Sequence, residues 1–494
     1  MTMKKLISLL LVLCMLLPFA AFGEEPSADA DGDNLSVTKH TAMIAGKTIE
    51  YTATAGTMVV DTSLGKYEIF FIAYTADGVD DLSKRPVTFA FNGGPGSASL
   101  WLNLGLLGPN RTALSAEGML KQVPGSMKPN EYSILDLTDL VFIDPVGTAY
   151  SRALEGTDAV TFYNYSNDSA SVGDFIRQYV TRNGRWESPK YLAGESYGTV
   201  RAVGVCDYLQ KTHHMAMNGL MLISSANDYG KLEATPGNEI PYVCHLPSYA
   251  AAAWYHKKAA EQYLGMELET FLEEVRQFAS GEYLSALYQG TRLGAEKRDA
   301  AAEKMAGFIG LKKEFILEKN LRVSLDDFCK NLLADQNLVV GRLDSRYTGP
   351  AVSGSLEDGT ADPSCLGIEE AFAAAMNNYI TQDLKFMTDR PYEVLSDNVI
   401  MQWTLWEDNA VLAQEDIIRD CMSANQFLKV LVICGYYDLA TPFSSAEWIY
   451  SHLFLNEELE KNLTFSYYPA GHMFYLLDAN LPLFRKDAEA WFND

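Results

Sequence analysis

An α/β architecture, a mostly parallel sheet flanked by helices on both faces, is predicted by three observations. Short, nearly continuous apolar runs of strand length recur along the chain, as in Pro86–Phe91, Asp139–Ile143, Gly219–Ile223 and Leu428–Cys434, with helical stretches between them. Such runs mark strands covered on both faces, and alternation of strand with helix marks parallel pairing. The runs end in loops rich in glycine and polar residues: Asn92-Gly93-Gly94-Pro95-Gly96, Asp144-Pro145-Val146-Gly147 and Gly435-Tyr436-Tyr437-Asp438. In an open parallel sheet, ligands bind at that carboxyl edge. Finally, 494 residues at 48% hydrophobic content supply a core larger than one small domain needs.

Taken in order, residues 1–23 carry Lys4 and Lys5, an apolar run from Leu6 to Phe22, and small residues at the end. This predicts a signal peptide cleaved near Gly23/Glu24, hence export to a periplasmic or extracellular space. The run is short and contains Pro18, so no stable membrane anchor is expected. Residues 24–36 are small, acidic and polar, and read as a disordered leader. β-branched and alternating runs between Thr48 and Tyr74 predict antiparallel strands at a sheet edge, opening a core segment that spans residues 37–228. Within it, Val172, Phe175, Ile176 and Tyr179 line one side of a predicted helix over Ala170–Arg182. Tyr191-Leu192-Ala193 is a strand that enters Gly194-Glu195-Ser196-Tyr197-Gly198, and a helix follows to about Leu209.

Residues 229–395 change character. Ala, Leu, Glu and Lys dominate with helical spacing, as in Met266–Phe278 and Ala295–Phe308, and predict a mainly helical cap inserted between sheet strands. Its aromatic residues Trp254, Tyr255, Tyr283 and Tyr288 are expected in a core. Residues 396–494 return to the sheet, with a helical stretch from Ser444 to Leu455 and a last strand, Leu463–Tyr468, ending in Pro469-Ala470-Gly471-His472-Met473.

Composition excludes some classes of function. With 39 basic against 64 acidic residues the net charge is −25, a surface that repels nucleic acid and anionic lipid. The glycine loop lacks the Gly-Lys-Ser/Thr ending of a phosphate loop, and neither Cys-x-x-Cys nor His-Glu-x-x-His occurs, so neither a metal nor another cofactor is expected. After cleavage Cys206, Cys244, Cys329, Cys365, Cys421 and Cys434 remain. Six cysteines allow fifteen pairings; Cys434, inside an apolar strand, reads as a buried free thiol. Pairing and oligomeric state stay open.

Gly194–Gly198 sits between a strand and a helix, the setting of a nucleophile elbow. There the serine backbone is strained and its hydroxyl is pushed clear of the sheet. Gly194 and Gly198 are expected to be glycines because strand and helix pass too close for side chains. A serine hydroxyl attacks only when a base takes its proton; an imidazole suits, with a carboxylate to hold its tautomer. Ser196, Asp438 and His472 follow the order serine, acid, histidine, and each lies just after a predicted strand. Only His452 and His472 follow Asp438, and His452 falls inside a predicted helix. Asp144 precedes the serine, and His213-His214 precede the acid. Singly, such residues are more often structural than catalytic; their joint order and placement point to a serine hydrolase. The backbone N–H groups of Gly94 and Tyr197 are the expected oxyanion hole.

Four blocks, Asn92-Gly93-Gly94-Pro95-Gly96-Ser97-Ala98-Ser99, Asp144-Pro145-Val146-Gly147-Thr148-Ala149-Tyr150-Ser151, Gly194-Glu195-Ser196-Tyr197-Gly198 and Ala470-Gly471-His472-Met473, resemble the signature blocks of the serine carboxypeptidases in order and spacing. The resemblance covers roughly residues 67–490. It implies an α/β-hydrolase fold with a helical cap and removal of the C-terminal amino acid from a peptide substrate with a free C-terminus. It also implies recognition of that carboxylate by Asn92 and Glu195. A glutamate facing a carboxylate must share a proton, which favours acidic pH. Two positions depart from the family pattern: Leu106 stands where a second carboxylate-binding glutamate is expected, and Ser97 replaces a frequent cysteine. The first opens the alternative of an esterase or other acyl hydrolase without strict free-carboxylate recognition. A catalytically silent binding protein is the rival from another class.

Overall fold

The computed structural model describes residues 33–118, 125–351, 362–365, 368–407 and 410–493. The expected signal segment 1–23 lies outside the described residues. The leader expected over 24–36 is corrected at its end: Asn34–Ile44 is a strand, and buried Asp33 accepts the Val59 N–H and pairs with Arg182. Backbone pairing with the next strand outweighs the polar composition there.

The central sheet runs through β1 (Asn34–Ile44), β2 (Lys47–Thr62), β3 (Gly65–Ala76), β4 (Val87–Phe91), β5 (Asp139–Ile143), β6 (Lys190–Glu195), β7 (Gly219–Ile223), β8 (Lys429–Gly435) and β9 (Leu463–Tyr468). Their spatial order is β1-β2-β3-β5-β4-β6-β7-β8-β9, with the two-residue strand Arg152–Ala153 paired beside β3. The first three are antiparallel; from β5 to β9 all neighbours are parallel. β1 and β2 are joined by Ala45-Gly46 with φ of 48° and 74°, the backbone of a tight hairpin turn.

The chain goes from β4 outward to β5 and then returns past β4 to β6. That reversal makes the carboxyl ends of β4 and β6 a topological switch point, where a crevice opens. Both sheet faces are covered, as the continuous apolar runs predict. Phe89, Phe91, Val141, Ile143, Leu192, Leu220, Leu222, Val430 and Val432 pack on one side, with Val172, Phe175 and Ile176 of α1 (Tyr165–Arg182) and Val203 of α2 (Tyr197–His213). The intervening residues Ala90, Leu140, Phe142, Tyr191, Ala193, Met221, Ile223, Leu431 and Ile433 face the other side, with Phe484 and Trp491 of the C-terminal helix Leu481–Asn493.

Between β7 and β8 the described chain is largely helical. The stripe Phe271, Leu272, Val275 and Phe278 of helix Leu268–Phe278 is buried against Phe308 of helix Ala295–Ile309. Of the four aromatic residues expected in a core, Tyr283 is buried and donates to the Leu321 carbonyl at 2.7 Å. Tyr288 is 79% exposed and Tyr255 45%, a departure from expectation: Tyr288 lies near the end of a short helix that leaves it uncovered. Among the described residues no helix is long and apolar enough to cross a membrane.

Candidate active site

Each sequence-predicted residue lies at or just beyond the carboxyl end of a parallel strand. At β6 the chain turns through Ser196 into α2, and three glycines show how tight that turn is. A β-carbon on Gly194 would lie 2.0 Å from the Gly198 carbonyl oxygen, and one on Gly198 would lie 2.6 Å from that of Phe91. One on Gly93, in the loop after β4, would lie 2.4 Å from the Tyr197 nitrogen. Only glycine fits at these contacts. Ser196 has φ 61° and ψ −129°, a strained conformation costing about 1–3 kcal/mol. It is held by its N–H on the Ile223 carbonyl at 2.9 Å and by the Thr199 N–H and hydroxyl on its own carbonyl at 2.9 and 2.7 Å. As the first helical residue of α2, Tyr197 has an N–H with no acceptor within the helix.

The loop after β8 carries Asp438 and the loop after β9 carries His472. His472 Nδ1 lies 2.8 Å from Asp438 Oδ2. Asp438 is fully buried, and its Oδ1 accepts the N–H groups of Ala440 and Thr441 at 2.8 and 2.9 Å. The Thr441 hydroxyl adds a third donor, to Oδ2 at 2.6 Å. A carboxylate so held orients the ring, with Nδ1 as the protonated nitrogen and Nε2 free. Burial opposes charge on His472, but the charge and hydrogen bond of Asp438, with Glu195 adding, bring it above its ordinary pKa. The Ser224 hydroxyl, just beyond β7, donates to the His472 carbonyl at 2.7 Å and ties that loop to the elbow's neighbour strand. Among the described residues no hydrogen bond joins the Ser196 hydroxyl to the imidazole; the serine is half-buried.

Glu195 is buried beside the serine. Burial pushes its carboxyl up to about 7, against the pull of His472 and of hydrogen bonds from Tyr475 and Asn92. Asn92 Oδ1 accepts the Leu102 N–H at 2.9 Å, so the amide turns its NH2 end to Glu195. Asp144 lies apart from the imidazole and serves the glycine loop instead: its Oδ1 accepts the Ser99 N–H at 2.5 Å, and burial raises its pKa to about 7. Leu106 is fully buried in the helical turn after the glycine loop and brings no acid.

Glu195 and Asp144, both raised, hold protons in the folded state that they release when unfolded at the same pH. Their contribution is therefore complete below about pH 4 and lost as pH rises toward 7. His472, also raised, loses its contribution above its ordinary range. Since a tenfold change in proton affinity is worth about 1.4 kcal/mol, the thermal midpoint is expected to fall by several degrees between pH 5 and pH 8. Asp144→Asn should flatten that slope in differential scanning calorimetry; an unchanged slope would contradict it.

Some functional neighbours escape sequence reasoning. Tyr475, three residues beyond His472, donates its hydroxyl to Glu195 Oε2 at 2.8 Å. Arg201 is buried in α2, with its Nη1 on the Asn92 carbonyl at 2.5 Å and its Nε on Asp168 at 2.8 Å. Residues 393–396 cross-link the glycine loop to the loop after β5, through Ala98 N–H to Val394 and Ala149 N–H to Glu393, both at 2.9 Å. Trp403 packs edge-on against Tyr197 at 5.1 Å. The usable signal is Arg201, a cation set among the glycine and valine residues of the first half of α2. Among the described residues the six cysteines are free thiols, Cys434 buried, and no group of three ligating side chains is placed to hold a metal.

Comparison with known proteins bears on the family. The pheromone-processing carboxypeptidase KEX1 of Yarrowia lipolytica is 27% identical over 206 residues, 37% of this chain and 31% of that protein, so the match spans about a third of the relative's length. The solved structure of Kex1(delta)p, a prohormone-processing carboxypeptidase from Saccharomyces cerevisiae, superposes with a TM-score of 0.56 at 16% identity, covering 90% of this chain and 92% of that one. At that identity the likeness speaks for the fold, that of the α/β-hydrolases. The family model described as serine carboxypeptidase matches residues 46–472, most of the chain, and the chain therefore belongs to the serine carboxypeptidase family.

Proposed function

We propose that the protein is an exported carboxypeptidase that hydrolyses C-terminal peptide bonds through an acyl-enzyme on Ser196. The observation that carries the reading is the buried Asp438–His472 pair at the same sheet edge as the strained Ser196. Ser196 Oγ attacks the scissile carbonyl while His472 Nε2 takes its proton, and Asp438 stabilises the imidazolium. The oxyanion is held by the N–H groups of Gly94 and Tyr197, each donor worth about 3–4 kcal/mol. His472 returns the proton to the leaving amine; water then attacks the acyl-enzyme with His472 as base, and Ser196 is regenerated. Hydrogen bonds between nucleophile and base are often long in substrate-free sites and tighten on binding. Asn92 and Glu195 receive the free carboxylate, with Glu195 in its protonated form as donor. The mainly helical insertion, described over 229–351, 362–365 and 368–395, caps the site, and the basic and apolar residues 1–23 direct export.

One observation favours a second reading. Buried Leu106 leaves the site with a single acid for the carboxylate, which suits an esterase or broader acyl hydrolase. The two separate in one assay: hydrolysis of an N-blocked dipeptide, its C-terminal amide and a simple ester at pH 5. A carboxypeptidase is expected to cleave the free acid at least tenfold better than the amide. Equal rates on acid and amide would transfer the assignment to the esterase.

A further inference from the structure

Glu195 is a buried carboxyl whose neighbours on every packed element are known: His472 and Asp438 from the last two loops, Asn92 from the loop after β4, and Tyr475. Among the described residues Tyr475 brings a hydroxyl to it, at 2.8 Å from Oε2, beside the NH2 of Asn92. That hydroxyl is held by a rigid frame. The ring is fully buried, it fills the space over Gly105, where a β-carbon would come within 2.4 Å of Cε2, and it meets Phe474 edge-on at 5.6 Å. The Tyr475 carbonyl accepts Arg111 Nη2 at 3.1 Å, and Arg111 Nη1 is paired with Asp478 at 2.6 Å. Leu106, adjacent to Gly105, has no group that could take Tyr475's place.

Resting on the carboxypeptidase reading above, we infer that Tyr475 is a positioning residue for substrate selection: its hydroxyl engages Glu195 Oε2 and leaves Oε1 to present the carboxyl proton to the substrate's C-terminal carboxylate. Burial and the neighbouring Glu195 keep the phenol far above its ordinary pKa, so it stays a neutral donor throughout the working range. A donor fixed on one carboxyl oxygen directs the acid's own proton to the other. The same donor stabilises the ionised form, so it also sets the pH at which Glu195 ceases to favour a carboxylate. With one acid in place of two sharing a proton, that loss follows a single titration.

The test compares kcat/KM for an N-blocked dipeptide and for its C-terminal amide from pH 5 to pH 9. In the wild type the acid-to-amide ratio is expected to be flat at low pH and to fall about tenfold per pH unit above about 7. Tyr475→Phe keeps the ring over Gly105 and removes the donor; the break should move up by about half a pH unit or more, in the acid-to-ester ratio as well as in the acid-to-amide ratio. Site-specific 3-fluorotyrosine at position 475, a stronger donor of similar size, should move it down, and supplies the same answer should the Phe variant fold poorly. Glu195→Gln should remove the break. A break that stays put in both Tyr475 variants, or equal loss on acid, amide and ester, overturns the role of Tyr475 alone. A wild type with no preference for the acid at any pH overturns the carboxylate reading, and this inference with it.

Discussion

Ser196→Ala is expected to lower kcat on peptide substrates on the order of 10⁶-fold and to abolish labelling by a fluorophosphonate probe. In free-energy terms the loss is about 8 kcal/mol of transition-state stabilisation. The size follows from the division of labour at the elbow. In the proposed mechanism no acyl-enzyme can form without Oγ, and His472 would have no nucleophile to deprotonate. What should survive is stabilisation by the proposed oxyanion donors, the N–H groups of Gly94 and Tyr197, together with substrate binding. The strained φ of 61° is a property of the backbone and persists in alanine, and the Ile223 and Thr199 hydrogen bonds to the Ser196 backbone are untouched. Circular dichroism and the thermal midpoint should therefore match wild type. A variant that retains more than about a hundredth of wild-type turnover would exclude an acyl-enzyme on Ser196, and with it the assignment of His472 and Asp438.

Arg201→Met is expected to destabilise the fold by about 3–5 kcal/mol, the usual consequence of removing one partner from a buried ion pair. Asp168 is buried with Arg201 as its charge partner, and burial already pushes its carboxyl above its ordinary pKa against the pull of that guanidinium. The arginine does more than neutralise. Its guanidinium lies 5.3 Å from the Tyr197 ring centroid and 5.7 Å from that of Phe91, and it donates to the Asn92 carbonyl. It thus ties the glycine loop to the start of α2, the two segments whose N–H groups face the proposed oxyanion. The double variant Arg201→Met/Asp168→Leu removes both charges and should recover much of the stability, measured by urea denaturation. Activity should not follow: displacement of either donor by about 1 Å can cost on the order of 100-fold. Recovery of full kcat/KM along with stability would reduce Arg201 to a purely structural part.

The parallel sheet and the positions of Ser196, Asp438 and His472 were legible because each signal is local. An apolar run sets a strand, a glycine or aspartate after it sets the turn, and the residue at the turn inherits a place on the carboxyl edge. The elbow glycines could be read in the same way, and the close contacts at Gly194 and Gly198 follow from the crossing of β6 and α2. β1 is not legible in composition, because its sequence is polar and edge-like; pairing with β2 makes it a strand. Tyr288 departs from its expected place for the converse reason: an aromatic side chain announces a core only if another element arrives to cover it.

The sequence by itself determined the kinds of chemistry the chain could perform and the order in which the candidate reacting groups occur. The tertiary structure decided how those groups are held. Asp438 is saturated by donors from its own turn, a local matter; Glu195 depends on a tyrosine 280 residues away, and Asn92 on an arginine 109 residues away. Periodicity and turn chemistry act over a few residues and can be read in order. A hydrogen bond between distant segments exists only once the sheet has fixed both backbones, so partners such as Tyr475 and Arg201 are visible only in the folded molecule.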